Sequence, residues 1–331
     1  MKELSDNLLE VRNLTTAFER DGSLLRAVDD VSFTIPRGKC VGIVGESGGG
    51  KSVTAMSLVR LLPHPAGQIL GGQVLFNGED ILKMKPRRLR EIRGGSIGVI
   101  FQEPMKALNP VHTIGDQIAE SLILHRGMSA DQAWDEAIRL LAKVRIPSPE
   151  HRAAEYPGSL SGGMRQRVVL ATAIACRPEL VIADEPTTAL DVTVQDQILG
   201  LLRELQVGSQ SSTLLITHDL GVVAQNCDRV LVMYAGRIVE SAEVKELFAN
   251  PCHAYTRALL ASMPRPEYPR KSHLPSIPGH VPSLANHVPG CRFCQRMGAD
   301  PATLQHRPPM QEITPGHWVQ ACPRCLSREW A

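Results

Sequence analysis

Cys40-Val41-Gly42-Ile43-Val44, followed by Gly45-Glu46-Ser47-Gly48-Gly49-Gly50-Lys51-Ser52, is the stretch whose reading decides the fold. The first five residues are apolar and bounded by Gly38 and Gly45, which predicts a buried strand. The next eight match G-x-x-x-x-G-K-[ST], and the run from Ser52 to Leu62 favours a helix. Strand, glycine loop and helix in that order make a phosphate cradle. Glycines let successive backbone N–H groups curl around an anion, and the helix N-terminus adds partial positive charge. Gly45, Ser47, Gly48 and Gly50 are therefore expected to line the phosphates. Lys51 should reach the β- and γ-phosphates of a nucleotide, and the Ser52 hydroxyl should bind Mg²⁺.

A second site element lies downstream. Leu180-Val181-Ile182-Ala183 reads as a buried strand and ends in Asp184-Glu185. Two carboxylates closing a buried strand are costly without a cation or another partner. Asp184 can hold Mg²⁺ through water, and Glu185 can act as general base on an attacking water. Thr213 to Thr217 predicts another buried strand. Arg229 to Tyr234 and Arg237 to Glu240 flank Ala235-Gly236, a hairpin signal. From residue 111 to 145 the pattern is helical, with Trp134, Ala137, Ile138, Leu141 and Val144 on one face. Apolar strands alternating with helical segments up to about residue 250 give an α/β fold.

The composition sets bounds. Of 331 residues, 43% are hydrophobic, so the chain can bury a core. Its 36 Lys and Arg against 34 Asp and Glu leave a formal charge of +2, without the basic excess of a nucleic-acid binder, so no nucleic-acid partner is expected. No apolar run approaches the length of a membrane span. The polar start Met1-Lys2-Glu3-Leu4-Ser5-Asp6 gives no expectation of a cleaved secretory signal.

Leu160-Ser161-Gly162-Gly163-Met164-Arg165-Gln166-Arg167 selects among the phosphate-loop classes. Ser161 is a good N-cap, and the two glycines leave N–H groups open at the start of a helix running to about Cys176. The segment resembles the signature motif of ATP-binding-cassette (ABC) ATPases, and it stands about twenty residues before the Asp184-Glu185 strand, in that family's order. The resemblance implies further roles. Gln102 resembles the glutamine that senses the γ-phosphate and touches Mg²⁺. Asp191, in Ala189-Leu190-Asp191, resembles the D-loop acid. His218 resembles the switch histidine, and Phe18 the aromatic that stacks on adenine. Ser161, Gly162 and Gly163 would meet the γ-phosphate of ATP held by a partner ATPase. Gly49 stands where many relatives carry Ser, a change that should loosen the free loop without removing a phosphate contact.

A narrower resemblance covers the remainder. Pro251-Cys252-His253-Ala254-Tyr255-Thr256-Arg257-Ala258-Leu259-Leu260 is similar to the P-x-H-P-Y-T-x-x-L-L segment of dipeptide, oligopeptide and nickel importer ATPases, with Ala254 replacing the usual Pro. Pro278-Gly279-His280-Val281-Pro282 and Gly290-Cys291 resemble later elements of that group. After a short helical stretch from Ala254 to Ser262 the chain reads as Pro-rich and loop-like, since 12 of its 24 prolines lie between Pro264 and Pro323.

Four of the eight cysteines, Cys291, Cys294, Cys322 and Cys325, form two C-x-x-C pairs with 27 residues between them. Without a secretory signal this spacing favours a metal over disulfides. Zn²⁺ and an iron–sulfur cluster both suit four thiolates, and reduced thiols are the third option. Some members of the importer family carry a [4Fe-4S] cluster here. Cys291 and Cys322 match its outer positions, while Met297 and Leu304 stand about where the inner cysteines fall. The centre is expected away from the ATP site, in a structural or redox-sensing role. Cys40, Cys176 and Cys227 read as small buried hydrophobes.

These readings give an ABC-type α/β ATPase core with an antiparallel β-subdomain near the N-terminus. Residues 1–250 are the expected nucleotide-binding domain, with a helical subdomain at about 103–178. Residues 251–331 are the expected Pro/Cys-rich C-terminal extension. The resemblance implies Mg²⁺-dependent ATP hydrolysis that powers import of a peptide-like solute or nickel. Its implied partners are a second, homologous ATPase chain, two permease subunits and, indirectly, an extracytoplasmic solute-binding protein, with this chain peripheral on the cytoplasmic face of the membrane. The competing class is a soluble ABC ATPase of a non-transport complex, such as phosphonate degradation. A small-molecule phosphate-loop kinase would have no use for Leu160 to Gln166.

Overall fold

The computed structural model describes residues 6–103, 107–187, 191–264 and 275–327. The chain divides into two units. One comprises Met1–Leu9, Ile35–Cys40 and Phe76–Ile216. The other gathers Glu10–Thr34, Val41–Leu75 and Thr217–Ala331.

In the first unit the strand Leu180–Asp184 lies between two parallel neighbours. Ile97–Ile100 pairs from Ile97 with Leu180 to Ile100 with Ala183, and Ser212–Thr217 pairs from Ser212 with Leu180 to Ile216 with Asp184. All five residues of Leu180–Asp184 are buried, which is why the strand reads as a continuous apolar run rather than an alternating one. The helix Gly162–Ile174 presses on this sheet at Gly98, where a Cβ would stand 2.1 Å from the carbonyl oxygen of Ala173. The helical pattern from 111 to 145 resolves into two helices, Ile114–Arg126 and Ala130–Lys143. Gly127, at φ 62°, ends the first, and a Ser129/Gln132 capping box starts the second. Ala137, Leu141 and Val144 are buried as expected, whereas Trp134 and Ile138 are half-buried at the edge of that face.

The second unit's Glu10–Thr34 holds most of two strands, Asn7–Arg20 and Ser23–Pro36, joined by Asp21-Gly22, both at positive φ, in a hairpin of the primed-turn kind. The strand order is Ser23–Pro36, Asn7–Arg20, Gly67–Phe76. Cys40–Val44 runs parallel to Arg229–Tyr234, with Val41 opposite Arg229 and Val44 opposite Val232. Arg237–Glu243 returns antiparallel through the Ala235-Gly236 turn. The helix after the phosphate loop, Lys51–Leu58, is shorter than the sequence suggests. Val59 caps it, and Arg60 turns to φ 53°.

The extension departs from its loop-like reading. Met310–Thr314 and His317–Gln320 form a hairpin, and His317–Gln320 adds antiparallel to Arg237–Glu243, with Glu240 opposite Val319. Pro308, Pro309 and Pro315 flank and turn this hairpin, and every residue of Met310–Thr314 is exposed, so no apolar alternation marks it in the sequence. Tyr234, Tyr255 and Phe293 pack with ring centroids 4.5, 5.5 and 5.6 Å apart, joining the helix Ala254–Ala261 and the cysteine region to the strand Arg229–Tyr234. Cys40 and Cys176 are buried as expected, and Cys227 is only half-buried. No helix among the described residues is long and apolar enough to cross a membrane.

Candidate functional site

The phosphate loop leaves the buried strand Cys40–Val44 at Gly45, where a Cβ would meet the carbonyl oxygen of Met233 at 2.1 Å. Gly50, at φ 95°, caps the helix Lys51–Leu58 in a left-handed conformation that favours glycine. Ser47 and Gly48 are exposed at the tip, and Ser52 is half-buried. Lys51 is buried and folds back over the loop, its Nζ donating to the carbonyls of Gly45 at 2.8 Å and Glu46 at 3.0 Å. Phe18, half-buried on Asn7–Arg20, lies beside Gly67. His218 is exposed directly after the strand Ser212–Thr217, and its neighbour Asp219 caps the helix Leu220–Asn226 through the N–H groups of Gly221 and Val222.

In the unit built around Phe76–Ile216, Asp184 closes its strand fully buried, and Glu185 follows it, also buried. Glu185 sits at φ 45°, a strained position for a side chain with a Cβ, and is pinned there by its N–H donating to Ile216 at 2.9 Å. Gln102 Nε2 donates to Glu185 Oε2 at 3.0 Å. The structure thus brings together two residues that the sequence placed in separate motifs. The amide hydrogen bond fixes the orientation of the Glu185 carboxylate. Ser161 accepts from the Met164 N–H and caps the helix Gly162–Ile174, with Ser161 and Gly162 exposed and Gly163 half-buried. Asp191, exposed, caps Val192–Ser209 by accepting from Val194 at 2.9 Å. Ala189 and Leu190 lie outside the described residues.

Cys291, Cys294, Cys322 and Cys325 are all buried, and their sulfurs lie within 4.8 Å of one another. Cys294 and Cys322 approach to 3.5 Å, and Cys325 stands 3.6 Å from both Cys291 and Cys294. Hydrogen bonds from Cys294, Cys322 and Cys325 hold the Cys291 thiol far below the ordinary thiol range. Bonds to Cys291 push Cys294 and Cys325 the other way. Such a group shares negative charge in a buried space, the setting in which a cation binds.

The chain segment that carries this group also reaches the phosphate loop. Arg296, two residues from Cys294, forms an ion pair with Glu46 inside the loop, and the Tyr255 hydroxyl accepts from the Glu46 N–H at 2.9 Å. Glu46 and Tyr255 lie within motifs read from the sequence, but nothing in the spacing marks Arg296. A second group, buried Glu240 and His317 with half-buried Cys252, is an anchor. Glu240 accepts from the N–H groups of Cys252 at 2.7 Å and His253 at 2.9 Å and from His317 Nε2 at 2.8 Å, tying the added hairpin to the sheet.

Comparison with known proteins agrees with this geometry. Residues 28–188 match the ABC transporter family, and residues 239–298 match the C-terminal region of oligopeptide/dipeptide transporters. The chain is 51% identical to a probable peptide ABC transporter ATP-binding protein, y4tR of Sinorhizobium fredii, over 96% of this chain and 95% of that one. It is 46% identical to the oligopeptide transport ATP-binding protein OppD of Bacillus subtilis, over 95% and 88% respectively. Among solved structures it resembles the ATP-binding cassette MJ0796 in a post-hydrolysis state bound to ADP and Pi. That likeness has a TM-score of 0.65 at 27% identity and covers 71% of this chain and 98% of that one. A phosphate loop, a strand ending in two acids and a relative matching nearly end to end are one answer reached three ways: the chain belongs to the ABC transporter ATPases, in their oligopeptide/dipeptide branch.

Proposed function

We propose that this chain is the ATP-hydrolysing subunit of an importer for a peptide-like solute, acting with a second ATPase chain and two permease subunits on the cytoplasmic face of a membrane. The observation that carries the reading is the 51% identity to a probable peptide ABC transporter ATP-binding protein over 96% of the chain. Residues 1–250 are read as the nucleotide-binding domain, with a helical subdomain at about 103–178, and residues 251–331 as the extension.

Within that reading, Gly45 to Ser52 bind the phosphates. Lys51 leaves the carbonyls of Gly45 and Glu46 for the β- and γ-phosphates. Ser52, Gln102 and Asp184 hold Mg²⁺, a role the buried Asp184 carboxylate suits. Mg²⁺ neutralises charge on the phosphates when bound. Glu185, oriented by Gln102, takes the proton of the attacking water, and His218 senses the γ-phosphate. Phe18 stacks on adenine. Ser161, Gly162, Gly163 and Asp191 serve the nucleotide of the partner ATPase. A cavity of about 870 Å³ in the helical region after Gln102, lined by His112, Gln117, Glu120, Ile123 and Leu124, is the candidate permease seat; Leu124 at its rim is 70% exposed.

The four thiolates fit a single Zn²⁺ better than a [4Fe-4S] cluster. A tetrahedral ion with Zn–S bonds of about 2.3 Å separates its sulfurs by about 3.8 Å. Three of the six sulfur pairs here stand at 3.5 or 3.6 Å, and all six lie within 4.8 Å. A four-iron cubane would spread its thiolates further. The zinc would hold the extension's two cysteine segments together and take no part in hydrolysis.

The test is reconstitution with candidate permease subunits in vesicles. ATP-dependent peptide uptake that disappears with Glu185→Gln supports the reading. Purification with a soluble complex, and no uptake, would replace it with the non-transport class.

A further inference from the structure

The short helix Arg292–Arg296 sits between the thiol cluster and the phosphate loop. Cys291 caps it, its sulfur accepting from the Cys294 N–H, and Cys294 lies within it. Five residues cannot hold a helix by themselves, so its place depends on what grips its ends. Its arginines at 292 and 296 are four apart and leave the same face. Arg296 pairs with both carboxylate oxygens of Glu46 and donates to the carbonyls of Ile277, Pro278 and Gly279. Arg292 donates to the Ala235 carbonyl and to Asp29, and the next residue, Gly236, donates to the Gly49 carbonyl at 2.8 Å. The cysteine helix therefore reaches the loop at Glu46 directly and at Gly49 through one turn.

Glu46 is the centre of this arrangement. Its carbonyl holds Lys51, its N–H is held by Tyr255, and its carboxylate by Arg296. A bare carboxylate in a loop that binds phosphates would repel them. Arg296 cancels that charge, with only 3% of its side chain exposed.

We propose that Arg296 and Tyr255 are positioning residues for the phosphate loop, and that the intact thiol cluster sets nucleotide affinity by keeping Arg296 on Glu46. The proposal rests on reading Gly45 to Ser52 as the ATP phosphate site. The test is calorimetric titration of the full chain with Mg²⁺ and a non-hydrolysable ATP analogue. Arg296→Ala should weaken binding about tenfold by exposing the Glu46 charge, and Arg296→Lys should weaken it less. Glu46→Gln/Arg296→Ala should bind within about threefold of the native chain, because the uncovered charge is gone. Cys294→Ser/Cys325→Ser should weaken binding like Arg296→Ala, and adding Glu46→Gln should restore it. Where that cysteine variant fails to fold by circular dichroism, the single Cys322→Ser is titrated in its place, and native affinity in a folded cysteine variant overturns the role of the cluster. Native affinity in Arg296→Ala, or no recovery in the double variant, overturns the proposal. A native chain that binds no nucleotide would instead overturn the reading of the loop.

Discussion

Glu185 shows how much one residue carries. It is buried, strained at φ 45°, and fixed by Gln102 at 3.0 Å. Glu185→Gln keeps the size and the hydrogen-bonding reach but replaces a proton acceptor with an amide. Turnover should fall by about 10²- to 10⁴-fold while ATP binding is kept. A phosphate-release assay beside a nucleotide-binding titration checks both halves, and native turnover would remove Glu185 as the base. Asp29 matters for stability. Burial works to raise its carboxyl pKa, but the Arg237 and Arg292 guanidiniums outweigh it and hold the pKa below the usual carboxylate range. A depressed folded value means that Asp29 stabilises the fold above the unfolded carboxylate value of about 4 and loses that contribution as pH falls through its folded value. Asp29→Asn leaves two buried guanidiniums without their anion, at a cost of about 3–5 kcal/mol. Urea unfolding at pH 7 should show this loss, and the difference from the native chain should narrow as the pH drops below about 4.

Elements carry effects that no single motif announces. Gly98 lets the helix Gly162–Ile174 reach the strand Ile97–Ile100, and the helix capped by Ser161 presents the signature residues. Gly98→Ala sets a methyl carbon against the Ala173 carbonyl, at a cost of about 1–3 kcal/mol of stability. A thermal melt should register it, with the signature helix losing protection first in hydrogen exchange. The hairpin Met310–Gln320 depends on Glu240. Glu240→Ala strips the partners from two N–H groups and a buried imidazole, so the extension should open to proteases before the rest of the chain. Cleavage of the whole chain at one rate would argue against that local role.

Across the whole molecule, what the sequence disclosed and what it hid divide on physical lines. Strands buried on both faces read as apolar runs, so Cys40–Val44 and Leu180–Asp184 were legible, and so were the loop glycines and the acids at the strand end. The C-x-x-C pairs announced a shared site because thiolates close together need a common partner. The hairpin Met310–Gln320 was not legible, because its edge strand is exposed and its prolines look like loop. The Arg296–Glu46 pair was not legible either, since a contact 250 residues apart along the chain leaves no local period. One question belongs only to this scale. The chain carries one phosphate loop and one Ser161-Gly162-Gly163 element, and the latter is exposed at an open helix start whose N–H groups favour an anion. If that element serves the nucleotide of a partner, hydrolysis needs two chains, and a hydrolysis-blocked variant should accumulate the pair. Glu185→Gln with Mg²⁺ and ATP should therefore sediment as a dimer, alone or with a homologous cassette, and return to monomer when Mg²⁺ is chelated. Ser161→Arg, which places bulk and charge at the open terminus and leaves the phosphate-loop residues unchanged, should abolish the dimer while the chain still binds nucleotide. Full turnover from a strictly monomeric preparation would defeat the two-chain requirement.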